Sequence, residues 1–307
     1  MLREKGLLSI SVLLSGVLAG CGGGGGGASP NTVTGFTSWS AIQRNTTVVA
    51  EGLSQSGTYN YNVGADLVTS RTLGPASVGA SYSASYDQNG LATAATIVPA
   101  GGSAISWSRA AGDTFGFLII NNNIDAVVSV DGSRYALAAN PFGNLWDYQS
   151  FGVWVTGAGT GSGTYGSISV GAATAGASIP TSGSATFNGI SGGFYVDNLG
   201  QQFFTSSSMS AVTNFATRTV AFSTTNTQVT RDLLNVSANA NLNMTGNLSY
   251  AAATNQISGG VATVGGLTGS VTARFYGPSA QEIGGTFALD AGVGGLQGYA
   301  GAFGGRR

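Results

Sequence analysis

The stretch from Leu267 to Leu289 narrows the possible folds most. Leu267, Gly269, Val271, Ala273 and Phe275 fall on one side of an extended chain, and Thr268, Ser270, Thr272, Arg274 and Tyr276 on the other. Strict alternation of this kind is a β-strand with one buried and one wet face. Gly277-Pro278 stops it, because proline has no N–H for a ladder and fits the start of a turn. Ile283 to Leu289 then resumes as a second strand, in which Gly284 and Gly285 permit a bend or a close backbone approach. A hairpin with one apolar side needs further strands to cover it.

Composition says that the rest of the chain can supply strands and little else. Only 7% of residues are charged, 51 are glycine, and Lys5 is the sole lysine. The Glu, Lys and Arg that coat soluble helices are scarce. Ser, Thr and Asn suit the wet faces of strands, and Gly suits their turns. The chain therefore reads as all-β. Its 42% hydrophobic content, with Phe, Tyr and Trp spread along it, separates it from a disordered Gly/Ser-rich chain.

Several functions are excluded or left without support. The net charge is −1 and no basic stripe exists, so nucleic acid is not a partner. There is no histidine. That removes Ser-His-Asp and Cys-His catalysis and the usual zinc and haem ligands, and general acid–base chemistry would have to run without its commonest group. The reading is that the protein is not an enzyme and needs no cofactor. The single cysteine, Cys21, forms no disulfide within the chain.

Residues 1–20 read as an export leader: Arg3 and Lys5 precede an apolar core from Leu7 to Val17, too short to span a bilayer. The leader ends Leu18-Ala19-Gly20-Cys21, which looks like a bacterial lipobox and makes Cys21 the lipidation site and membrane anchor. Gly22 after the cysteine, rather than Asp, points to the outer membrane of a Gram-negative cell. Residues 21–32 hold the lipidated cysteine and an unbroken glycine run, a flexible tether. It lacks the preceding strand and the following Lys-Ser/Thr of a phosphate loop.

Residues 33–147 carry some eight short strand patterns, with turn signals at Asp87-Gln88-Asn89-Gly90, Asn121-Asn122-Asn123 and Asp131-Gly132. A short helix start is possible at Ser38-Trp39-Ser40-Ala41. The break at Asn140-Pro141-Phe142-Gly143 places a boundary just after it. Residues 148–307 carry about eight more strands, which fits a β-barrel, and closing a sheet on itself removes its edges. The recurring Ser/Thr/Asn face could meet solvent outside or a watery lumen inside; a lipid anchor would be redundant on a membrane-spanning barrel, which favours a soluble one.

At this point the motifs match a known family. Phe275-Tyr276-Gly277-Pro278, with Glu282, Gly284, Gly285 and the closing Gly301-Ala302-Phe303-Gly304, resembles the end of the C-terminal barrel of transferrin-binding protein B-like surface lipoproteins. Gly183-Ser184-Ala185-Thr186-Phe187-Asn188-Gly189 is similar to the family's recurring Gly-x-Ala-x-Tyr/Phe-x-Gly strand, and Phe151-Gly152-Val153-Trp154 to its barrel-entry strand. The resemblance implies a β-rich handle, residues 33–147, followed by an eight-stranded antiparallel barrel, residues 148–307. It implies a lipid-anchored protein exposed on the outer membrane, brought there by a surface-lipoprotein translocator. It further implies binding of a host protein or an iron- or haem-related solute, as a co-receptor beside a TonB-dependent receptor in nutrient acquisition. The alternative is a structural or adhesive surface lipoprotein, or translocator cargo, with no solute.

No ligand-binding residue is identified. Phe275, Tyr276, Gly277, Pro278, Glu282, Gly284 and Gly285 read as structural, with Glu282 bonding backbone donors near the turn. Trp39, Trp107, Trp146 and Tyr148 are the aromatic candidates for an exposed interface, each with core packing as the competing reading. Haem iron would have to be held by Tyr, by Met209 or Met244, or by no protein ligand, and nothing singles one out. Asp125 and Asp131 read as turn chemistry rather than a metal site.

Overall fold

The structure, a computed structural model, describes residues 31–32, 37–117, 124–143, 146–232, 235–292 and 295–307. The expected leader, Cys21 and the glycine run lie outside these residues. Two sheets account for the fold, and both are antiparallel apart from one short pairing.

The first sheet contains, among the described residues, β1 (Asn31–Thr32), β2 (Thr47–Asn62), β3 (Leu67–Arg71), β4 (Ser77–Tyr86), β5 (Ala92–Val98), β6 (Ile105–Ser108), β7 (Thr114–Phe117), β8 (Ile124–Val128), β9 (Arg134–Ala139), β10 (Gln149–Thr156) and β11 (Ser162–Gly171). Its order is β6-β5-β4-β2-β11-β10-β9-β8-β7, with β1 and β3 added to β2. Strand β2 is the spine. Its first half pairs with β4 and its second half with β3, and a register shift at Gly52/Leu53 bends it. The sheet curls round a core containing Trp39, Val48, Tyr82, Ile97, Trp107, Trp154 and Ile168. Trp107 of β6 reaches across that core, and its indole N–H donates to the Arg134 carbonyl on β9 (3.3 Å).

The second sheet is a closed barrel. It contains β12 (Ser184–Val196), β13 (Gln202–Asn214), β14 (Thr219–Thr230), β15 (Ser237–Ala238), β16 (Met244–Ser249), β17 (Ile257–Thr263), β18 (Thr268–Tyr276), β19 (Glu282–Asp290) and β20 (Gly298–Arg306). The ring runs β12-β20-β19-β18-β17-β16-β14-β13 and returns to β12, with β15 an outlying pair on β14. That is the expected eight-stranded antiparallel barrel. Phe187, Phe222, Phe275, Phe287, Tyr299 and Phe303 fill it, so the interior is a packed core rather than a channel.

Three sequence expectations need correction. The division between sheets does not fall at residue 148: β10 and β11 pair with β9 and β2 of the first sheet, so the barrel begins only at Ser184. Phe151-Gly152-Val153-Trp154 is thus a handle strand and not the barrel entry. The chain break at Asn140–Gly143 is a 3-10 turn within the handle. Second, the count of eight barrel strands holds with different members: residues 184–196 form one strand where two were read, and Ile257–Thr263 was missed. The missed strand contains Gly259-Gly260 and an Ala, so its apolar alternation is faint. Third, the helix start at Ser38 is one 3-10 turn, Trp39–Ala41.

Candidate functional site

The closing hairpin joins the two sheets. Phe275 points into the barrel and packs against Phe187, Phe215 and Tyr250. Tyr276, its neighbour, points the other way and is fully buried against the handle. Its hydroxyl lies 2.9 Å from Ser169 Oγ and donates to the Ser169 carbonyl at 3.1 Å. Burial pushes the phenol up to about 12. Gly277 has φ +86°, a backbone state that favours glycine. The Tyr148 ring lies where a Gly277 side chain would project. Half-buried Pro278 sits in the turn between β18 and β19.

Glu282 opens β19 and is only 3% exposed. Its two carboxylate oxygens accept from the backbone N–H groups of Asp147 (2.6 Å) and Tyr148 (3.2 Å). Sequence reasoning placed its partners near its own turn; they come instead from the other domain. Burial raises its pKa to about 7, the two N–H groups pull it back, and the nearby Asp147 charge adds to the rise. Gln149 reaches into the same seam, its amide N–H groups donating to the carbonyls of Ile283 (2.9 Å) and Gly305 (3.3 Å). A Cβ at Gly284 would overlap Gln149 Oε1, and one at Gly304 the Phe151 ring. Gly285, one residue on, lies against Ala273 of β18. Gly284 and Gly304 let the handle settle onto the barrel wall.

A second clamp lies at the other end of the seam. Arg71, at the end of β3, has a side chain only 5% exposed and pairs with Asp290 at the end of β19. It also donates to the carbonyls of Leu296 and Gln297, both at 2.7 Å, and to the Tyr165 hydroxyl at 3.3 Å. Arg231 and Asp66 form a more exposed pair at 2.6 Å. Sequence reading missed Arg71 and Gln149. The available signal was scarcity: in a chain with so few charges, each cation invites a search for its partner.

Between the clamps the two domains part along a groove of about 300 Å³. Ile124, Leu137, Phe151 and Val153 of the handle line one side, and Ile190, Gly192 and Phe204 of the barrel the other. Ser206, Ser208, Asn226, Gln228 and Thr230 give it a polar border. The border includes a β-bulge, where Ser207 faces the extra residue of the pair Asn226-Thr227 and Asn226 takes φ +55°. Among the described residues, no charged side chain lines it.

The aromatic candidates are not a surface. Trp39 and Trp107 lie in the handle core, Trp146 packs on Phe151 at 4.9 Å between ring centres, and Tyr148 is half-buried. Met209 and Met244 fill the barrel. Asp131 accepts from Ser129 and Ser133 within its turn, which lowers its pKa to about 2. Asp125 is buried beside Asn140, and burial raises it to about 7. Among the described residues, no three His, Cys, Asp or Glu side chains lie together as a metal site.

A closed eight-stranded barrel packed along one wall against a curled β-handle is the class of molecule these observations define. Residues 179–307 match the family model of the C-lobe and N-lobe beta barrels of Tf-binding protein B, and over those residues the chain resembles that family. Solved structures with a similar fold include the transferrin-binding protein B Trp-176-Ala mutant of Haemophilus parasuis Hp5, 13% identical, covering 86% of this chain and 76% of that one with a TM-score of 0.44. Another is isotype 1 transferrin-binding protein B of serogroup B Neisseria meningitidis, 12% identical, 86% and 77% covered, TM-score 0.42. A structure described as a surface lipoprotein is 12% identical, with 83% and 98% covered and a TM-score of 0.42. No curated protein matches the chain.

Proposed function

We propose that the protein is a non-enzymatic lipoprotein, anchored through Cys21 and exposed on the outer membrane, that binds a host protein or an iron- or haem-related solute as a co-receptor in nutrient acquisition. The observation that supports this most is a barrel that resembles the Tf-binding protein B family, fixed to its handle by Glu282, Gln149, Tyr276 and Arg71. Two domains held as one body keep their loops in fixed relation, which lowers the ordering cost of binding a large partner. A surface-lipoprotein translocator and a TonB-dependent receptor are the expected cellular partners. Pull-down from host fluids, with a haem titration followed by absorbance, tests the reading. A retained host protein or a saturable spectral change supports it; folded protein that gives neither counts against it.

A structural or adhesive role is the second reading. Strands β13, β14, β16, β17 and β18 carry a single charged residue, Arg274, and present a broad hydroxyl-covered wall. That role predicts attachment defects on deletion while iron-limited growth stays normal.

A further inference from the structure

We infer that the groove between handle and barrel is a binding site for a neutral amphiphile, an apolar body ending in a hydroxyl, ester or amide head. The chemistry of its walls sets the class. Leu137, Phe151, Val153, Ile190 and Phe204 offer aliphatic and aromatic surface from both domains. Hydroxyl and amide groups of Ser206, Ser208 and Gln228 stand along one border only, so an occupant with a polar head has one favoured direction. The volume of about 300 Å³ is at the small end of ligand pockets, which typically combine an apolar lining with few polar groups.

Charge decides between ligands. With no Arg or Lys among the described residues of the walls, a carboxylate, a sulfonate or the propionates of a haem would lose water without gaining a partner. Among the described residues, no His, Cys, Met or Tyr lines the groove either, so these walls offer iron no side-chain ligand of those kinds. The site is therefore distinct in chemistry from a haem site, and it stands whether or not a host protein binds elsewhere on the molecule.

Gly192 keeps the groove open. It lies on β12, its nearest neighbour to an added Cβ is the Thr205 carbonyl at 3.5 Å, and it is not among the positive-φ glycines. A larger residue there would fill the groove without pressing on the backbone. Gly260 on β17 is its counterpart on the open wall, with nothing nearer than 3.9 Å.

The test uses the full chain carrying Cys21→Ser, so that no acyl anchor offers a competing apolar phase. Binding of uncharged N-phenyl-1-naphthylamine is followed by fluorescence and challenged with 1-monodecanoylglycerol or with decanoate. The expected result is saturable binding, displaced by the neutral glyceride at concentrations at least tenfold below those needed with decanoate. Gly192→Leu should weaken binding at least tenfold with the melting temperature unchanged, and Gly260→Leu should leave it as it was. If Gly192→Leu does not fold, Ser206→Trp, at an exposed border position, serves as the blocking variant. No saturable binding to folded protein, equal displacement by decanoate, or binding untouched by a folded blocking variant would overturn the proposal. Neither host fluid nor haem enters the assay, so its outcome is independent of the co-receptor reading.

Discussion

The barrel has two kinds of wall. On the side away from the handle, β16 and β17 alternate buried and exposed residues, as a half-buried strand should. On the handle side, eight consecutive residues of β19 and eight of β20 are buried. Inward, both walls do the same work with Phe, Leu, Ile and Val. Outward, the first wall meets water through Ser, Thr and Asn, and the second meets β10 and β11 through Gly284, Gly304 and Ala302, and the segment leading into β10 through the Glu282 carboxylate. The difference teaches that the closing hairpin is under two packing demands at once, and that its glycines answer the second.

The largest break in this comparison should come from Gly284→Leu. Its side chain would overlap Gln149 Oε1 and crowd Ser169 Oγ. A loss of at least about 3 kcal/mol in urea unfolding is expected, against less than about 0.5 kcal/mol for Gly260→Leu on the open wall. Next is Arg71→Met, which strips the buried partner from Asp290 and from the Leu296 and Gln297 carbonyls. It should cost about 2 kcal/mol, because it removes the hydrogen bonds to two half-buried carbonyls, while half-exposed Asp290 stays solvated.

Glu282→Gln is expected to cost roughly 1–2 kcal/mol by disturbing the bonds from Asp147 and Tyr148. It should also change the pH profile. Glu282 titrates near pH 7 in the folded protein against an ordinary value of 4.5. Between those values the folded chain holds a proton that the unfolded chain has released, so this group's contribution falls as pH rises from about 4.5 to 7 and is flat above. Asp125 adds a slope of the same sign inside the handle, between 3.8 and about 7. Denaturation midpoints from pH 4.5 to 8 should show a shallower fall in Glu282→Gln, and a flatter profile again when Asp125→Asn is added. The smallest effect should be that of Arg231→Ala, below about 1 kcal/mol and fading in high salt, since the Asp66 pair is partly exposed.

What could be read in advance follows the same division. The alternation from Leu267 to Phe275 was legible because one face is wet and the other apolar, whereas Tyr276, expected on the wet face, is buried because the handle covers that end of β18. Ile283 to Leu289 was legible as a strand, but nothing in it announced that both faces are buried. That information lies in Gln149, Ser169 and Phe151, more than a hundred residues earlier. The boundary after Asn140–Gly143 failed for a related reason. Gly and Pro mark a turn equally well within a domain and between domains, and only the pairing of β10 with β9 shows which it is. Tryptophans offered as surface anchors proved buried because a sheet curled on itself needs large side chains to fill it. The groove left no local trace: its walls come from β8, β9, β10, β12, β13 and β14, each of which reads as ordinary strand.

The central claim is that handle and barrel unfold as one body because the β19–β20 wall is shared between them. All four tryptophans belong to the handle or the segment leading into β10, whereas strands of both domains contribute to far-ultraviolet circular dichroism. Urea unfolding of the full chain followed by both signals is the direct measurement. Coincident single transitions are predicted, separating into two in Gly284→Leu. Two resolved transitions in the unmodified chain, with tryptophan emission changing before the barrel is lost, would contradict the claim.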